Sequence, residues 1–292
     1  MIEILKFIYK HPLNSERKIK SIFKFITWQI SSTLWGGSFI YNWIDNSRLI
    51  ISKGMTGATG NIYVGLMEYE DMSFLLHYLQ EDDLFYDIGA NVGVYTILAS
   101  KVKKAKTISI EPIPSTYEHL IDNIQINRLD NVITKNIGLS SEKSKLFFTT
   151  NRDAMNSVAL SSDKDTIEVE VDTLDNLSKR FGYPKMIKID VEGYETNVIK
   201  GGMETLKNPN VEVIIIELNG NGNKFLFNDN DIHNILLSLD YYPYTYNPFE
   251  RKIIKLNHYG SHNTIYIKNS VLSKIENRIK DSKQFNCEGR FL

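Results

Sequence analysis

Residues 87–96 read DIGANVGVYT, and they begin inside a short apolar run, residues 84–88, that has the length and composition of a buried strand. Asp87 stands at the carboxyl end of this strand. Gly89 and Gly93 allow a tight turn into a following helix and a close approach of a ligand to the backbone. Because ligands of open α/β sheets bind beyond the carboxyl ends of the strands, this stretch predicts an α/β sheet with a ligand site at this turn.

The spacing of the glycines argues against a phosphate ligand. A dinucleotide site needs G-x-G-x-x-G, whereas three residues separate the two glycines of this turn. Gly60 and Gly65 have the glycine spacing of a P-loop, but Leu66 stands where that motif needs lysine. The carboxylate of Asp87 would also repel a phosphate, so both kinds of phosphate site are disfavoured.

Strand-like and helix-like segments alternate along most of the chain, which predicts a mostly parallel central sheet with helices on both faces. Two consecutive strands near the end predict an antiparallel C-terminal edge hairpin, and two alternating segments in the middle predict an additional strand pair. The predicted strands of the central sheet are residues 84–88, 107–110, 132–137, 186–189 and 211–218, those of the hairpin 241–246 and 264–267, and those of the pair 145–150 and 167–171. The predicted helices are residues 72–79, 94–101, 115–127, 174–181, 196–200 and 231–239.

A second acid follows the second core strand. Glu111 precedes Pro112 and comes 24 residues after Asp87, a position from which a carboxylate can accept hydrogen bonds from two ribose hydroxyls. A phosphate-free nucleoside with a positive charge fits two carboxylates better than NAD does, and S-adenosylmethionine is such a ligand. We therefore predict that its ribose binds Glu111 and that its amino-acid end binds the glycine turn and Asp87.

Three motifs in this order carry a family resemblance: residues 87–96, the pair Glu111-Pro112, and KIDVEGYE at residues 188–195. Residues 60–267 resemble the FkbM-type family of S-adenosylmethionine-dependent methyltransferases, and the third motif is the family-specific one. The resemblance implies a Rossmann-like class I methyltransferase fold. It also implies methyl transfer, usually to a hydroxyl of a sugar, a polysaccharide or glycolipid precursor, or a secondary metabolite. The expected cofactor-binding residues are Asp87, Gly89, Ala90, Asn91, Gly93, Tyr95, Thr96, Glu111, Pro112, Gly138 and Asp190.

A group of polar residues follows two further strands of the predicted sheet. Lys188 and Asp190 alternate onto one strand face and Glu192 lies in the turn after it, while Glu217 and Asn219 come at the end of the next core strand. An alcohol has a pKa near that of water, about 15.7, so a general base must remove its proton during methyl transfer. We predict Asp190 or Glu192 as that base and Lys188 as an anchor for one of the acids.

Other polar residues are predicted to bind the acceptor or a metal ion. Glu217 and Asn219, together with Asn156 of the polar loop 151–158 and His262 of the loop before the last strand, are predicted acceptor-binding residues. Asp190, Glu217 and Asn219 are also oxygen ligands that suit Mg²⁺. The sequence leaves a metal-assisted reaction open, and we favour a base that works without a metal.

The N-terminal segment differs from the rest. Up to Lys24, six Lys and Arg residues stand against two Asp and Glu residues, and residues 17–30 predict an amphipathic helix. Its apolar face would carry Ile19, Ile22, Phe23, Ile26 and Ile30. We predict an accessory helix whose apolar face packs on the core; peripheral contact with a membrane or a partner is the alternative. Residues 48–52 predict a strand and residues 54–65, rich in Gly and Thr, a loop.

Composition limits the remaining possibilities. The chain has 292 residues, a net charge of −1 and one cysteine, Cys287, so an internal disulfide is excluded and a basic excess for nucleic acid is missing. Neither a secretory signal nor an apolar run of about 18 residues is evident, and we expect a cytoplasmic protein with a small-molecule or glycan acceptor. The expected domains are an extension (1–60), a methyltransferase domain (61–270), and a C-terminal helix with a polar tail (271–292).

Two other functions remain open at this stage. A nicotinamide-dependent oxidoreductase could use a similar sheet, but the missing G-x-G-x-x-G argues against it. A non-catalytic S-adenosylmethionine-binding scaffold would have no need of the acid cluster at residues 190–217. Cofactor titrations and variants of Asp190 and Glu192 would distinguish these functions from an O-methyltransferase.

Overall fold

A computed structural model describes residues 2–150, 156–160 and 163–292. Its helices are α1 Ile2–Lys10, α2 Lys18–Leu34, α3 Thr56–Val64, α4 Tyr69–Tyr78, α5 Val94–Ile97, α6 Pro114–Ile126, α7 Leu174–Phe181, α8 Glu195–Lys200, α9 Met203–Lys207, α10 Asp229–Ser238 and α11 Leu272–Lys280. Its strands are β1 Ser38–Asn42, β2 Arg48–Ser52, β3 Leu84–Ile88, β4 Lys106–Ile110, β5 Val132–Lys135, β6 Gly138–Leu139, β7 Ser144–Thr149, β8 Thr166–Asp172, β9 Met186–Ile189, β10 Val213–Glu217, β11 Tyr241–Asn247, β12 Lys252–Lys255, β13 Asn263–Lys268, β14 Asn286–Cys287 and β15 Arg290–Phe291.

The central sheet has the strand order β12-β11-β13-β10-β9-β3-β4-β5. Strands β5, β4, β3, β9 and β10 are parallel, and the chain order reverses between β3 and β9, where Asp87 pairs in register with Lys188. Such a reversal opens a crevice at the carboxyl ends of the strands, which is where doubly wound sheets bind ligands. The predicted Rossmann-like α/β fold is confirmed.

The antiparallel edge is larger than the predicted hairpin. β11 and β13 pair antiparallel, as expected, but β13 lies between β10 and β11 and pairs with both. The outermost strand, β12, was not predicted from the sequence; it pairs with β11 through Tyr246 and Ile253. The three edge strands are consecutive in the chain, but their order in the sheet is β12-β11-β13.

Helices cover both faces of the sheet because neighbouring strand residues are buried on opposite sides. Along β10, Val213 and Ile215 join one apolar cluster with residues of α4 and α11, while Ile214 and Ile216 join a second cluster with residues of α8 and α10. All four side chains are fully buried. A continuous apolar strand is the pattern expected when both faces of a parallel sheet are covered.

The prediction of a loop at residues 54–65 was wrong, because this segment contains helix α3. Gly60 has a packing role. A Cβ on Gly60 would overlap the side chain of Met67, so glycine allows the connection after α3 to fold back against the helix. The strand prediction for residues 48–52 was right, and β2 pairs antiparallel with β1.

The predicted polar tail was also wrong. After α11 the chain forms the β14–β15 hairpin, and Phe285, Cys287 and Leu292 are buried in the apolar cluster that also contains α4. The carboxylate of Glu288 forms an ion pair with Lys24 of α2 at 2.5 Å and accepts a hydrogen bond from the hydroxyl of Tyr41 at 2.6 Å. The C-terminal segment therefore joins the N-terminal segment to the main core.

Helix α2 forms where predicted, but it does not pack through its apolar face. Its buried residues are Ser21, Phe25 and Ser32, whereas Ile19 and Phe23 of the predicted apolar face lie largely in solvent. The prediction that this face packs on the core was wrong for most of it, and only Ile22 of the predicted face packs against the main apolar cluster. No helix in the described part of the chain is long and apolar enough to cross a membrane.

Candidate active site

A pocket of about 260 Å³ opens at the carboxyl ends of β3, β4, β9 and β10. Residues that sequence reasoning assigned to three different roles come together in its wall. The predicted cofactor residues that line it are Asp87, Gly89, Ala90, Asn91, Tyr95, Glu111, Pro112, Gly138 and Asp190, and the predicted catalytic and acceptor residues that line it are Lys188, Glu192, Glu217 and Asn156.

The glycine turn after β3 forms the floor of this pocket. The amide groups of Gly89 and Ala90 donate to the carbonyl oxygen of Ile110 at 3.0 and 2.9 Å, which joins the turn to β4. Gly89 has a φ of 77°, and a Cβ at this position would overlap the carbonyl oxygen of Asp190. Glycine is therefore required for the turn to approach the end of β9.

Gly93 and Thr96, two of the predicted cofactor-binding residues, are not among the residues that line the pocket. A Cβ on Gly93 would lie 2.5 Å from Leu120, so this glycine allows α5 and α6 to pack closely. Thr96 is buried below the turn and donates a hydrogen bond of 2.6 Å from its hydroxyl to Oδ2 of Asp87. It positions the carboxylate, whose pKa burial raises to about 6.

Glu111 is held by the backbone on both carboxylate oxygens. Oε2 accepts a hydrogen bond from the amide of Asn91 and Oε1 accepts one from the amide of Ile113, both at 2.9 Å. Each oxygen keeps a second lone pair, so the carboxylate can still accept from two hydroxyl groups of a ligand. Burial raises the pKa of Glu111 to about 7.

An apolar slot lies beside Glu111. It is formed by Ile113 and by residues of a smaller sheet with the order β6-β8-β7, whose β7–β8 pair is the predicted additional strand pair. Phe148 and Val158 line the pocket from this side and belong to the same small apolar cluster as Ile113. A flat, uncharged ring is the kind of group that such a slot binds.

Three acids converge on the other side of the pocket. Oxygen atoms of Asp190, Glu192 and Glu217 lie within 4.8 Å of one another. Burial raises the pKa of Glu192 to about 7 and that of Glu217 to about 8, and repulsion from Asp190 adds to both increases. The cluster therefore holds carboxyl groups that change protonation near neutral pH.

Lys188 is the buried cation of this cluster. Its ammonium donates to Oδ2 of Asp190 at 2.9 Å and to Oδ1 of Asn263 at 3.3 Å. Burial alone would lower the pKa of Lys188, but the carboxylates around it, above all that of Asp190, raise it above its usual range. The predicted anchoring of an acid by Lys188 corresponds to this contact with Asp190.

The loop after β9 holds Glu192 in the cluster. Glu192 and Gly193 have φ values of 55° and 99°, and a Cβ on Gly193 would lie 2.6 Å from the carbonyl oxygen of Asn221. Oε1 of the buried Glu195, the first residue of α8, accepts hydrogen bonds from the amides of Val191 and Gly193 at 3.0 and 3.1 Å. The start of α8 thus closes this loop through a side chain.

Two predicted acceptor residues lie away from the pocket. Asn219 is exposed, and its Oδ1 accepts a hydrogen bond from the amide of Asn221 at 2.9 Å. His262 is exposed as well, and its carbonyl oxygen accepts from the amide of Leu218. Asn219 belongs to the loop that follows β10, and His262 belongs to the loop that precedes β13. Asn156 lines the pocket, and residues 151–155 of its loop lie outside the described residues.

The structure changes the set of residues that could bind a metal ion. The predicted ligand set of Asp190, Glu217 and Asn219 is not brought together, because Asn219 faces solvent. Glu192 stands in its place, and the three carboxylates could offer one oxygen each to a cation such as Mg²⁺. The sequence signal for Glu192 was present in the KIDVEGYE motif, but only the fold shows its distance from Glu217.

Helix α3, helix α4 and the connection between them supply pocket residues that the sequence analysis missed. Gly57, Met67, Glu68 and Met72 line the pocket, and the carboxylate of Glu68 accepts a hydrogen bond from the hydroxyl of Tyr95. The neighbouring Asp71 has a pKa that burial raises to about 7. No sequence motif marks these residues, and Gly57 lies in the segment that was predicted to be a loop.

Comparison with known proteins gives a family match over the same region. Residues 87–244 match the family model described as "Methyltransferase FkbM domain". The hexuronic acid methyltransferase AglP of Haloferax volcanii is 30% identical over 153 residues, a match that covers 52% of this chain and 62% of that protein. A tRNA(Phe) (4-demethylwyosine(37)-C(7)) aminocarboxypropyltransferase of Methanocaldococcus jannaschii is 36% identical over 67 residues, which are 23% of this chain and 26% of that protein.

The chain thus spans less than two thirds of the length of these curated relatives. Among solved structures, M. jannaschii TYW2 in complex with AdoMet aligns with 15% identity and a TM-score of 0.38, covering 80% of this chain and 87% of that one. A precorrin-6y C5,15-methyltransferase from Geobacter metallireducens aligns with 14% identity and a TM-score of 0.40, covering 69% and 87%.

Proposed function

Because the chain belongs to the FkbM methyltransferase family, we propose that it transfers the methyl group of S-adenosylmethionine to a hydroxyl oxygen of a carbohydrate-type acceptor. The observation that carries this proposal is that one pocket contains three features: the carboxylate of Glu111, placed to accept ribose hydroxyls, the glycine turn, and a carboxyl cluster that changes protonation near neutral pH. Family membership accounts for the methyl transfer; the choice of an oxygen atom as acceptor is the part that we infer.

The residues of the pocket fit S-adenosylmethionine. Glu111 would accept the two ribose hydroxyls, because each of its oxygens retains a lone pair. The apolar slot with Phe148 would hold the base, and the turn at Gly89 with Asp87 would hold the amino-acid end. When bound, this ligand supplies a methyl group already activated by a positive sulfur, which the acidic surround favours.

We assign the proton transfer to Glu192. Its Oε2 accepts a hydrogen bond from the side-chain amide of Asn221 at 3.1 Å, and its pKa of about 7 is suited to a base at neutral pH. Asp190 is the weaker candidate because Oδ2 is already paired with Lys188. The carboxylate of Glu192 would take the hydroxyl proton as the acceptor oxygen forms its bond to the methyl carbon. The bond between that carbon and sulfur would break with its electron pair left on sulfur, so the products would be a neutral ether and S-adenosylhomocysteine.

The acids also restrict the acceptor. AglP, by its name, methylates a hexuronic acid. In this chain the negative charge shared by Asp190 and Glu192 would repel a carboxylate placed beside it, whereas neutral hydroxyl groups can donate hydrogen bonds to these oxygens. We therefore propose a neutral sugar hydroxyl as the methyl acceptor and a reaction that needs no metal ion.

The test is a methyl-transfer assay with isotopically labelled S-adenosylmethionine and a panel of neutral glycosides, hexuronosides and aminoglycosides. We expect label in the neutral glycosides, with equal rates in MgCl₂ and in EDTA. Calorimetry with S-adenosylmethionine and NAD⁺ should give heat for the former alone. Transfer confined to hexuronosides or amino groups would contradict the acceptor proposal. Binding without transfer to any sugar would favour a scaffold.

A further inference from the structure

The N-terminal helical hairpin, defined as α1 and α2, exposes several large apolar side chains, and those of α2 form an apolar surface. On α2, Ile19 is 85% exposed, Phe23 68%, Ile30 53% and Leu34 70%. On α1, Ile2 and Tyr9 are each more than half exposed. Single exposed apolar residues are ordinary on protein surfaces, but a contiguous set of large ones marks an interaction surface.

This apolar surface points away from the domain. Ile19, Phe23, Ile26, Ile30 and Leu34 recur every three or four residues and so share one face of the helix. Ser21, Phe25 and Ser32 occupy the opposite face and are buried, and the ring of Phe25 packs edge-on against Tyr63 of α3 at 5.2 Å. The helix is thus fixed to the domain by its less apolar side and presents its more apolar side outward.

The charge of the same segment identifies its partner. Residues 1–53 contain eight Lys and Arg residues against three Asp and Glu residues, although the whole chain has 34 against 35. Lys10 and Lys20 are exposed beside the apolar surface, and Trp35 is 72% exposed at the end of α2. Exposed leucine, phenylalanine and tryptophan on one face with lysine around it is the composition of helices that lie in a lipid interface.

We propose that the N-terminal helical hairpin docks on a negatively charged lipid surface. The apolar residues of α2 enter the boundary between headgroups and acyl chains, and the lysines contact the phosphates. A second copy of this chain fits less well, because it would bring two basic surfaces together. Since α2 packs on α3, and Gly57 of α3 lines the pocket, docking brings one wall of the pocket close to the lipid.

The test is co-sedimentation of the full chain with vesicles of pure phosphatidylcholine and of equal parts phosphatidylcholine and phosphatidylglycerol. We expect binding to the anionic vesicles that weakens as salt is added. The double variant Phe23→Ser/Ile30→Ser should bind at least about tenfold more weakly, because the transfer of two large apolar side chains from water into the lipid is lost. The matched control is Ile133→Ser/Leu226→Ser, two exposed apolar residues outside the hairpin.

A charge variant separates the electrostatic component of vesicle binding from the hydrophobic component. Lys20→Glu should reduce binding to anionic vesicles several-fold, and Lys207→Glu, an exposed lysine of α9, should not. Calorimetry with S-adenosylmethionine should give unchanged affinity for all four variants, so the result is independent of the proposed reaction. Equal binding by variant and control, or absent binding to anionic vesicles, would overturn the proposal. A dimer in sedimentation velocity that Phe23→Ser/Ile30→Ser dissociates, without vesicle binding, would assign the surface to a second copy.

Discussion

Glu192 is the residue on which the proposed chemistry depends. It is the third residue after β9 and has a positive φ, and burial together with the neighbouring Asp190 raises its pKa to about 7. A base must be deprotonated to act, so the rate should rise with pH through this value. This combination of strain, burial and like charge is typical of groups that perform proton transfer.

We expect Glu192→Gln to lower kcat by about 10²- to 10⁴-fold, the usual contribution of a general base, and to abolish the rise of kcat near pH 7. The affinity for S-adenosylmethionine should change little, because the proton to be removed belongs to the acceptor. Glu118→Gln, an exposed acid of α6, is the matched control. A pH profile unchanged in Glu192→Gln would move the assignment to Asp190.

Glu217 should make the folded protein less stable at high pH. Burial raises its pKa to about 8, so the folded state holds a proton that the unfolded chain releases near pH 4.5. The unfolded state therefore binds fewer protons between these two values, and the free energy of unfolding falls as the pH rises. Below pH 4.5 both states are protonated and the effect disappears.

The variant Glu217→Gln should accordingly raise the free energy of unfolding at pH 8 by on the order of 1 kcal/mol, reduced from the full linkage value because the side chain is partly exposed. At pH 4 the variant and the wild type should unfold alike. Denaturant unfolding at both pH values measures this. A stabilisation of the same size at pH 4 would show that the charge is not its cause.

At the scale of the element, the loop between β9 and α8 connects fold and chemistry. Its shape depends on Glu195, which accepts from two loop amides, and on Gly193, which lies against Asn221. The loop carries Glu192 and is thus a positioning device for the acid cluster. A substitution of Gly193 or Glu195, neither of which lines the pocket, would therefore displace Glu192 from the acid cluster.

Glu195→Ala should lower the free energy of unfolding by about 1–3 kcal/mol, because the amides of Val191 and Gly193 lose their acceptor. It should also lower kcat more than it raises the KM for S-adenosylmethionine. Glu195→Gln keeps an oxygen acceptor in the same place and should retain most of the stability and rate. A Gln variant as impaired as the Ala variant would contradict this hydrogen-bonding role.

Several elements could be predicted from sequence and others could not. The limits of β3, β9 and α7 agree with the sequence expectation, because short apolar runs and capped amphipathic segments carry their signal locally. Helix α3 was missed because glycine is a poor helix former, and one of its two glycines, Gly60, is explained by its close contact with Met67 outside the helix. Strand β12 was missed because its residues are mostly exposed and lack a clear alternation.

At the scale of the molecule, the two ends of the chain meet. Phe285 exchanges two backbone hydrogen bonds with Leu292, and its ring is buried near His77 of α4. Glu288 links this segment to Lys24 and Tyr41. The C-terminal hairpin therefore holds the N-terminal helical hairpin against the core, and with it the proposed lipid-docking surface.

We expect Phe285→Ala to lower the free energy of unfolding by about 3–5 kcal/mol, the usual cost of emptying a fully buried phenylalanine site. The matched control is Phe291→Ala, six residues later in the same hairpin and 61% exposed, which should change it by no more than about 0.5 kcal/mol. Denaturant unfolding of the two variants makes the comparison. Equal effects would mean that the hairpin is not part of the core.

The sequence alone determined the alternation of strands and helices, the glycine turn after β3, and the acids at or just beyond the carboxyl ends of β3, β4, β9 and β10, since each of these is encoded by residues close together in the chain. Only the tertiary structure decided that Glu192 and not Asn219 joins the acid cluster, that Glu68 reaches the pocket, and which face of α2 is buried. These outcomes depend on contacts between segments far apart in sequence. Periodicity shows that a helix has two faces, but the competing partners in the folded chain determine which face is covered.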